Sequence, residues 1–440
     1  MTMSIAVDKA PAERANIRRA VTAATIGTII EWFDYALYGA ASGLFINKLF
    51  FPQFSASAGV LAAFATFAAG FFSRPLGGIL ISHFGDRFGR KPALIFTVSL
   101  MGLSTVAMGL LPTYAQIGVL APILLVICRL LQGFGAGAEY AGAVTLVSEY
   151  VPAHRKAYFT AYLSSATVAG IMFATLLFLL VAYLPEETLF GWAWRVPFLV
   201  SALLIGVALY IRQNLDETPE YVVAMERAAA HRREARVPVG ELIRNSPREV
   251  VCGFLSITGH NANAYILSAF SLSYMTNTLG MARTDALTAV IIATLTGIVL
   301  TPPVGALADR VGHARVYLFG GVFTMLYAFP MFAILGTKNV VLATLALSIG
   351  FGIGYSGLAS AQGAFLANLF PTRYRFSGIA LARELNALLI AGPTPFVASA
   401  LVAAGNGKPT WVVAYLMACC AITVVSVIAI RSRSYERGSD

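Results

Sequence analysis

Long apolar runs recur along almost the whole chain, and they constrain its possible folds more than any other feature. A helix needs about 20 mainly apolar residues to cross the ~30 Å hydrocarbon core of a bilayer. Runs of this length predict an all-α integral membrane protein with twelve transmembrane helices in two sets of six. The predicted helices lie near residues 20–45, 58–82, 92–112, 118–146, 157–183, 194–212, 249–279, 285–308, 314–335, 339–366, 376–403 and 409–431.

The composition agrees with a membrane protein. Of 440 residues, 58% are hydrophobic and only 12% are charged, whereas soluble domains are about half apolar and about one quarter charged. The excess of 31 basic over 21 acidic residues would suggest a nucleic-acid partner if the chain were soluble. Here we expect the basic residues at the membrane surface, in contact with lipid and not with nucleic acid. The four cysteines lie in apolar runs without the spacing of a metal site or a disulfide framework.

Lysines and arginines are distributed unevenly between the two sets of connecting loops. With the N-terminus in the cytoplasm, 23 of the 31 basic residues fall on the cytoplasmic face. The opposite face receives only Lys48, Arg195, Arg283, Lys338 and Lys408. The positive-inside rule therefore predicts a multi-pass protein of the bacterial inner membrane, that is, the plasma membrane, with both termini cytoplasmic.

A charged segment separates the two sets of helices. Residues 213–248 contain twelve charged side chains in 36 positions. We expect a cytoplasmic linker here, between an N-terminal half of residues 1–212 and a C-terminal half of residues 249–440. The centre of the linker, YVVAMERAAAHRREA, has helical spacing, and it forms either a solvated helix or a helix along the membrane surface.

A compact charged motif after the second predicted helix has a counterpart in the second half. GDRFGRK, which begins at Gly85, recurs as ADRVGHA, which begins at Ala308, so that Asp86 corresponds to Asp309. EYVPAHR and NLFPTRYR, after the fourth and tenth helices, correspond at nearly the same offset. These matches indicate an internal duplication of a six-helix unit. Duplicated halves with a substrate site between them are typical of secondary transporters.

The charged motif resembles the signature loop of the major facilitator superfamily, which reads G-x-L-x-D-R-x-G-R-R/K between the second and third helices. Ser82 replaces the leading glycine of the first copy, and the second copy has His313 and Ala314 in place of the basic pair. The resemblance implies the facilitator fold, with twelve transmembrane helices as two six-helix halves. It also implies a gating role, with simple anchoring of the topology as the alternative. The gating residues would be Asp86, Arg87, Gly89, Arg90, Lys91, Asp309 and Arg310.

Longer stretches resemble the metabolite:proton symporters of that superfamily, which carry shikimate, 2-oxoglutarate, citrate-like acids, and proline or betaine. These stretches are EWFDYALYG, SRPLGG, RLLQGFGAGAEYAGA, WRVPFL, NLDETPEY and FPTRYRFSG. LAAFATFAAGFFSRPLGG and ISHFGDRFGRK are most similar to shikimate-type members. The resemblance implies symport of a small organic acid with protons. The chain departs from the family at Arg383 and Glu384, where the family usually has uncharged residues, and this departure bears on substrate preference.

Acidic residues inside the predicted helices are candidates for proton coupling. A charge within a span costs roughly 2.5–3.5 kcal/mol of insertion free energy, so we expect each charged residue there to have a specific partner or function. Glu31 and Asp34 are three residues apart and share a face of the first helix. Two carboxylates this close in a low dielectric resist double ionisation, which suits one of them to carry a proton. The alternative is that they pair with an arginine for packing. Glu139, near the cytoplasmic end of the fourth helix, fits either proton coupling or the gate.

Basic and polar residues inside the helices are candidates for substrate binding. Arg129 lies near the middle of the fourth helix, where a guanidinium can hold a carboxylate with two hydrogen bonds. A salt bridge from Arg129 to Glu31 or Asp34 is the structural alternative. Arg383 either binds substrate or extends to the membrane interface. The other predicted substrate-binding residues are Tyr35, Tyr38, His260, Asn261, Asn263 and Gln362.

The sequence disfavours several other functions. The phosphate-binding pattern GxxxxGK[ST] of an ATP-driven pump is absent, and no nucleophile–base or metal constellation indicates an enzyme. A drug:proton antiporter would resemble a family with a Gly-Pro-rich fifth helix, whereas SSATVAGIMFATLLFLLVAY has one glycine and no proline. A carrier of a zwitterionic osmolyte such as proline or betaine, and a non-transporting sensor, stay open. We predict a monomer that handles a small metabolite and protons without a cofactor or metal.

Overall fold

The computed structural model describes residues 9–78, 80–81, 90–136, 147, 151, 153–214, 239–370 and 375–436. These residues are helical along most of their length, and none of them lies in a β-strand. The predicted all-α class is therefore confirmed.

Twelve long helices, α1 to α12, run through the described part of the chain, and each overlaps one of the predicted spans. The N-terminal half contains α1 Lys9–Ala41, α2 Ala56–Phe72, α3 Arg90–Leu110, α4 Leu120–Ala136, α5 Lys156–Ala182 and α6 Val196–Asn214. The C-terminal half contains α7 Pro247–Tyr265, α8 Arg283–Val311, α9 His313–Leu335, α10 Val340–Ile349 with its continuation Ser356–Leu369, α11 Arg375–Asn386 with its continuation Thr394–Ala404, and α12 Thr410–Glu436.

Many of these helices have the length and composition of membrane spans. Seven stretches of the described residues meet that criterion, namely Ala56–Gly78, Lys156–Ala182, Arg283–Val311, His313–Leu335, Val340–Leu369, Ser377–Ala404 and Thr410–Ile430. Three more apolar helices are shorter, namely Ile95–Leu110, Leu120–Ala136 and Ala193–Val207. The chain is a multi-pass membrane protein.

Local sequence signals set several helix ends. Ser55 caps α2, since its hydroxyl accepts a hydrogen bond from the Ala58 N–H at 3.3 Å, and Asn339 caps α10 in the same way. Gly312 separates α8 from α9. Its φ is +103°, a backbone conformation that residues other than glycine rarely adopt. This glycine belongs to the second copy of the charged motif, and it allows the tight turn between α8 and α9.

Wider π-type turns interrupt the helices that surround the centre of the bundle. They occupy Ile266–Phe270 after α7, Gly350–Tyr355 within α10 and Ala387–Ala391 within α11. A similar turn, Ser42–Ile46, follows α1. Such turns are frequent at functional sites.

The two halves contact each other on both sides of the bundle. We call the side on which α1 begins and α12 ends the terminus side, and the opposite side the far side. On the terminus side, the Cα of Gly305 in α8 approaches the backbone of α5 so closely that a Cβ would lie 2.8 Å from the Ala157 oxygen. On the far side, Asn277 donates a hydrogen bond to the Gly43 carbonyl at 2.6 Å. The structure thus describes a closed arrangement.

Candidate substrate site

Two adjoining cavities lie between the halves at the centre of the bundle. The residues that line both of them are Trp32 of α1, Ile171 of α5, Tyr265 at the end of α7 and Ser268 in the π-type turn that follows. Both halves therefore build one central site, which is where duplicated transporters bind their substrates.

Four polar atoms on cavity-lining residues are buried without a hydrogen-bond partner in the described part of the chain. They are Nε1 of Trp32, the hydroxyl oxygens of Tyr35 and Tyr265, and Nδ1 of His260. A buried polar group left unpaired costs about 1–3 kcal/mol. These groups are therefore available to hydrogen-bond a polar ligand or water.

The polar stretch of α7 places two of its three predicted residues at the cavity. His260 and Asn261 line the second cavity, the His260 ring lies 5.2 Å from that of Tyr355, and Asn261 donates to Asn386 Oδ1 at 2.7 Å. Asn263 is buried but is not among the described lining residues. Two positions along a helix correspond to a rotation of about 200°, so Asn261 and Asn263 cannot both face the cavity.

Arg383 lies on α11 and lines the second cavity. Its Nη1 donates to Gln362 Oε1 at 3.3 Å, and Gln362 Nε2 donates to the Tyr317 hydroxyl at 3.3 Å. Arg383 is therefore positioned at the cavity and not at the membrane interface. Gln362 lies behind Arg383 and orients it.

Arg129 is fully buried and is enclosed by aromatic rings. Its Nη2 donates to the Phe67 carbonyl at 2.8 Å, and its Nη1 donates to Gln132 Oε1. Its Cζ lies 4.9 Å from the ring centre of Tyr35, 4.4 Å from that of Tyr38 and 5.0 Å from that of Phe67. These ring faces supply the negative potential that a desolvated guanidinium needs.

Arg129 lies behind the cavity wall, and its role in substrate binding stays a prediction. No described carboxylate contacts it, so the proposed salt bridge to Glu31 or Asp34 is not formed in this arrangement. It is also not among the described lining residues, because Tyr35 and Phe67 stand at the wall in front of it. Tyr38 is equally remote from the cavity, and its hydroxyl bonds that of Thr66.

Asp34 is buried inside the N-terminal half. Its Oδ1 accepts a hydrogen bond from the Ser201 hydroxyl of α6 at 2.6 Å, and its carbonyl accepts one from Gln132 Nε2 at 3.0 Å. No cation contacts its carboxylate among the described residues. A buried carboxylate with one hydroxyl donor is costly in its charged form. Glu31, one turn earlier, is also buried.

The second copy of the charged motif joins the halves on the terminus side. The two carboxylate oxygens of Asp309 each accept a hydrogen bond of 2.9 Å, one from the Ala157 N–H and one from the Tyr158 N–H. Asp309 therefore caps the first turn of α5 from the other half, and His313 contacts it at 3.0 Å. Arg310 is exposed.

Part of the first copy can also be placed. Arg90 and Lys91 are the first two residues of α3. Asp86, Arg87, Gly89 and Glu139 lie outside the described residues.

A family model of the Major Facilitator Superfamily matches residues 24–383 and 250–439. This chain belongs to the major facilitator superfamily. It is 34% identical to the shikimate transporter of Escherichia coli (strain K12), over 96% of this chain and 97% of that protein. It is 34% identical to the inner membrane metabolite transport protein YhjE of the same organism, over 93% of both. It is 32% identical to the proline/betaine transporter of Salmonella typhimurium, over 94% of this chain and 83% of that protein.

The facilitator fold is also seen in the solved structures that this chain resembles. The crystal structure of the D-xylose-proton symporter matches with a TM-score of 0.71 at 19% identity, over 93% of this chain and 96% of that one. The predicted fold, the resemblance to the metabolite:proton symporters and the prediction of a transport protein rather than an enzyme are confirmed.

Sequence reasoning missed several residues that organise the site of this facilitator. Gln132 connects Arg129 to the Asp34 carbonyl, and its spacing of three residues from Arg129 was a usable signal. Ser201, the partner of Asp34, carries no such signal. The bond between Arg74, two residues after α2, and Glu384 of α11, at 3.1 Å, was missed as well, because nothing in the sequence relates two residues so far apart.

Proposed function

We propose that this protein is a secondary active transporter that takes up a small organic acid together with protons by alternating access. The central cavity carries this proposal, because both halves line it and the halves contact each other on either side of it. Opening the contacts on one side at a time would expose the site to each side of the membrane in turn. The relatives that transport shikimate and other metabolites support the same function.

The proposed topology is a monomer in the bacterial inner membrane with both termini in the cytoplasm. The terminus side would then be the cytoplasmic side, as the distribution of loop lysines and arginines favours. Residues 1–212 and 249–440 would be the two moving halves, joined by the linker 213–248.

Arg383 is the proposed ligand of the substrate carboxylate. It is the one cation among the described residues that line either cavity, and a guanidinium can bind a carboxylate with two hydrogen bonds. Tyr265, His260 and Trp32 have unpartnered polar atoms nearby, which suit the hydroxyl or carbonyl groups of a small metabolite. Arg129 would act from behind Tyr35, by holding the aromatic wall in place.

Asp34 is the proposed proton carrier, with Glu31 in support. Burial without a cation makes the charged form of Asp34 unfavourable, so the residue can take up and release a proton as its surroundings change between states. The Ser201 hydroxyl at 2.6 Å would stabilise the carboxylate when the proton leaves.

A zwitterionic osmolyte is a second candidate, favoured by the aromatic character of the cavity wall. Trp32, Tyr35, Phe67 and Tyr265 line the first cavity, and aromatic faces bind quaternary ammonium groups. A relative at 32% identity transports proline and betaine.

Uptake into liposomes with an inward proton gradient tests the function. Radiolabelled shikimate, 2-oxoglutarate, citrate and proline betaine would each be supplied with and without an uncoupler. Uncoupler-sensitive accumulation of an acid supports the proposal, and accumulation of proline betaine alone supports the second candidate. Arg383→Gln should abolish accumulation of the acid, whereas Arg248→Gln, at an exposed position, is the matched control and should retain it. If the wild-type protein accumulates none of the four compounds, both proposed functions are contradicted.

A further inference from the structure

Arg74 and Glu384 form an ion pair that joins the two halves through two hydrogen bonds. Arg74 Nε lies 3.1 Å from Glu384 Oε2, and Arg74 Nη2 lies 3.3 Å from Glu384 Oε1. Their side chains are 6% and 19% exposed. Two parallel bonds between a guanidinium and a carboxylate are the strongest form of this interaction, and burial protects the pair from screening by salt.

The pair lies between the central cavity and the terminus side. The Arg74 guanidinium is stacked 5.4 Å from the ring centre of Tyr35 and 5.8 Å from that of Phe71, and Tyr35 lines the cavity. Because α2 runs from the far side to the terminus side, Arg74, two residues after the last residue of α2, lies beyond the cavity wall. Opening the cavity to the terminus side by separating α2 from α11 would therefore break this pair.

The backbone near each partner is held within its own half by hydrogen bonds. Next to Arg74, the Ser73 hydroxyl donates to the Leu130 carbonyl of α4 at 2.7 Å. Two residues after Glu384, the Asn386 amide donates to the Phe254 carbonyl at 2.8 Å and to the Thr258 hydroxyl at 3.0 Å, both on α7. Relative movement of the halves must therefore break the ion pair, because neither backbone segment can follow the other.

A second ion pair between the halves provides a comparison. Glu186 and Arg283 are 2.9 Å apart on the far side, but their side chains are 75% and 23% exposed. Exposed pairs contribute little to stability, whereas separating a buried pair leaves two charges without a partner and is strongly unfavourable. Of these two ion pairs, the buried one on the terminus side is therefore the one expected to resist separation of the halves.

We propose that Glu384 is the gate residue of the terminus side, where its charged carboxylate on Arg74 keeps the cavity closed in the absence of substrate. This role goes beyond the proposed function and does not depend on the identity of the substrate. Loss of the negative charge at position 384 opens the terminus side and leaves the far side closed. Glu384 acts through Arg74, so it is a positioning residue for the conformational change.

Hydrogen–deuterium exchange of the purified full-length protein, without substrate or gradient, tests this gate. Glu384→Gln should speed exchange about ten-fold or more in peptides covering residues 70–78 and 375–386, since exchange reports local opening. Arg74→Gln should produce the same change. The double variant should exchange no faster than either single variant, because both substitutions remove the same interaction. Glu186→Gln is the matched control, and it should leave these peptides unchanged.

Two results would overturn the proposal. One is that these peptides exchange at the wild-type rate in the Glu384→Gln variant. The other is faster exchange throughout the protein together with a lower unfolding temperature, which indicates a purely structural role. If Glu384→Gln does not fold, Arg74→Gln gives the same test from the opposite partner. Because no transport is measured, a failure of the proposed function leaves the result on the gate intact.

Discussion

Arg129 shows how this protein accommodates a guanidinium that is fully shielded from water. Three aromatic rings, a carbonyl and an amide surround it, and Gly70 of α2 leaves room for it. A Cβ at Gly70 would lie 2.7 Å from Arg129 Nη2 and 2.9 Å from its Cζ. The guanidinium cannot yield without giving up the hydrogen bond to the Phe67 carbonyl.

Gly70→Ala should therefore destabilise the protein. Overpacking of this kind costs about 1–3 kcal/mol, which thermal unfolding in detergent would detect as a lower midpoint. Gly206→Ala on α6 is the matched control, because a Cβ there meets nothing within 4 Å, and alanine stabilises a helix by up to about 1 kcal/mol relative to glycine. Equal midpoints for the two variants would contradict the steric argument.

Asp34→Asn should abolish uphill accumulation driven by a proton gradient but spare exchange of preloaded substrate. The asparagine side-chain oxygen can still accept the hydrogen bond from Ser201, so the packing is retained while the titratable group is lost. Uptake and counterflow in liposomes separate these two activities. Asp285→Asn makes the same change at an exposed position and should retain both. Unaltered uphill uptake by Asp34→Asn would exclude Asp34 as the proton carrier.

At the scale of single residues, the sequence predicted which residue types belong to the site better than it predicted which way their side chains point. Tyr35, His260, Asn261 and Arg383 line the cavity, and all were predicted from their type and their place in a helix. Arg129 was placed by the same reasoning, but its charge faces aromatic rings inside the N-terminal half. A buried helix is surrounded by protein on several faces, so its sequence does not reveal which face meets the cavity. The functional roles of all five stay predictions.

At the scale of the elements, α5 depends on a cap supplied by the other half. Asp309 accepts hydrogen bonds from two N–H groups of the first turn of α5, which also carries the positive end of the helix dipole. The repeat of the charged motif indicated that Asp309 corresponds to Asp86 and implied a gating role for it. It could not indicate that the capped helix would be α5.

Asp309→Asn should weaken this cap. The amide retains one acceptor but loses the second acceptor and the negative charge, so we expect a loss of about 1 kcal/mol. The unfolding midpoint should fall by a few degrees. Arg310→Gln, at the exposed neighbouring position, should change stability by no more than about 0.5 kcal/mol. Equal shifts for the two variants would mean that the cap contributes nothing.

The helices themselves were predictable, whereas their irregularities were not. Apolar runs long enough to span a bilayer predict each of α1 to α12, because the membrane leaves few alternatives to a helix. The π-type turns in α7, α10 and α11 depend on how neighbouring helices pack. No residue type in Ile266–Phe270 or Ala387–Ala391 marks such a turn.

At the scale of the whole molecule, the duplicated motifs predicted two related halves, and the fold contains them. The contacts that hold the halves together were not predictable, because each joins residues far apart in the chain. Arg74 and Glu384 are separated by 310 positions. The departure at Glu384 places a carboxylate on Arg74 between the halves, and its effect on substrate preference stays a prediction.

The pair of Glu186 and Arg283 on the far side should respond to pH only in acid. A hydrogen bond from Arg283, reinforced by the charges of Arg283 and Lys48, lowers the pKa of Glu186 below its ordinary value of 4.5. For a carboxyl group whose pKa is lowered in the folded protein, the stabilisation is fully present above the ordinary pKa. It is lost as the pH falls through the lowered value. Between pH 5 and 8 the pair is therefore constant.

Unfolding midpoints measured across pH for Glu186→Gln and the wild type test this prediction. The midpoint of the variant should be slightly lower at every pH above about 5, because the pair is exposed and weak, and the difference should vanish below the lowered pKa. Glu187→Gln is the matched control, since it removes an adjacent exposed carboxylate and should match the wild type throughout. A difference that changes between pH 5 and 8 would show that Glu186 titrates near neutrality. The far-side pair would then itself respond to pH near neutrality, and closure of the far side would be linked to the pH on that side of the membrane.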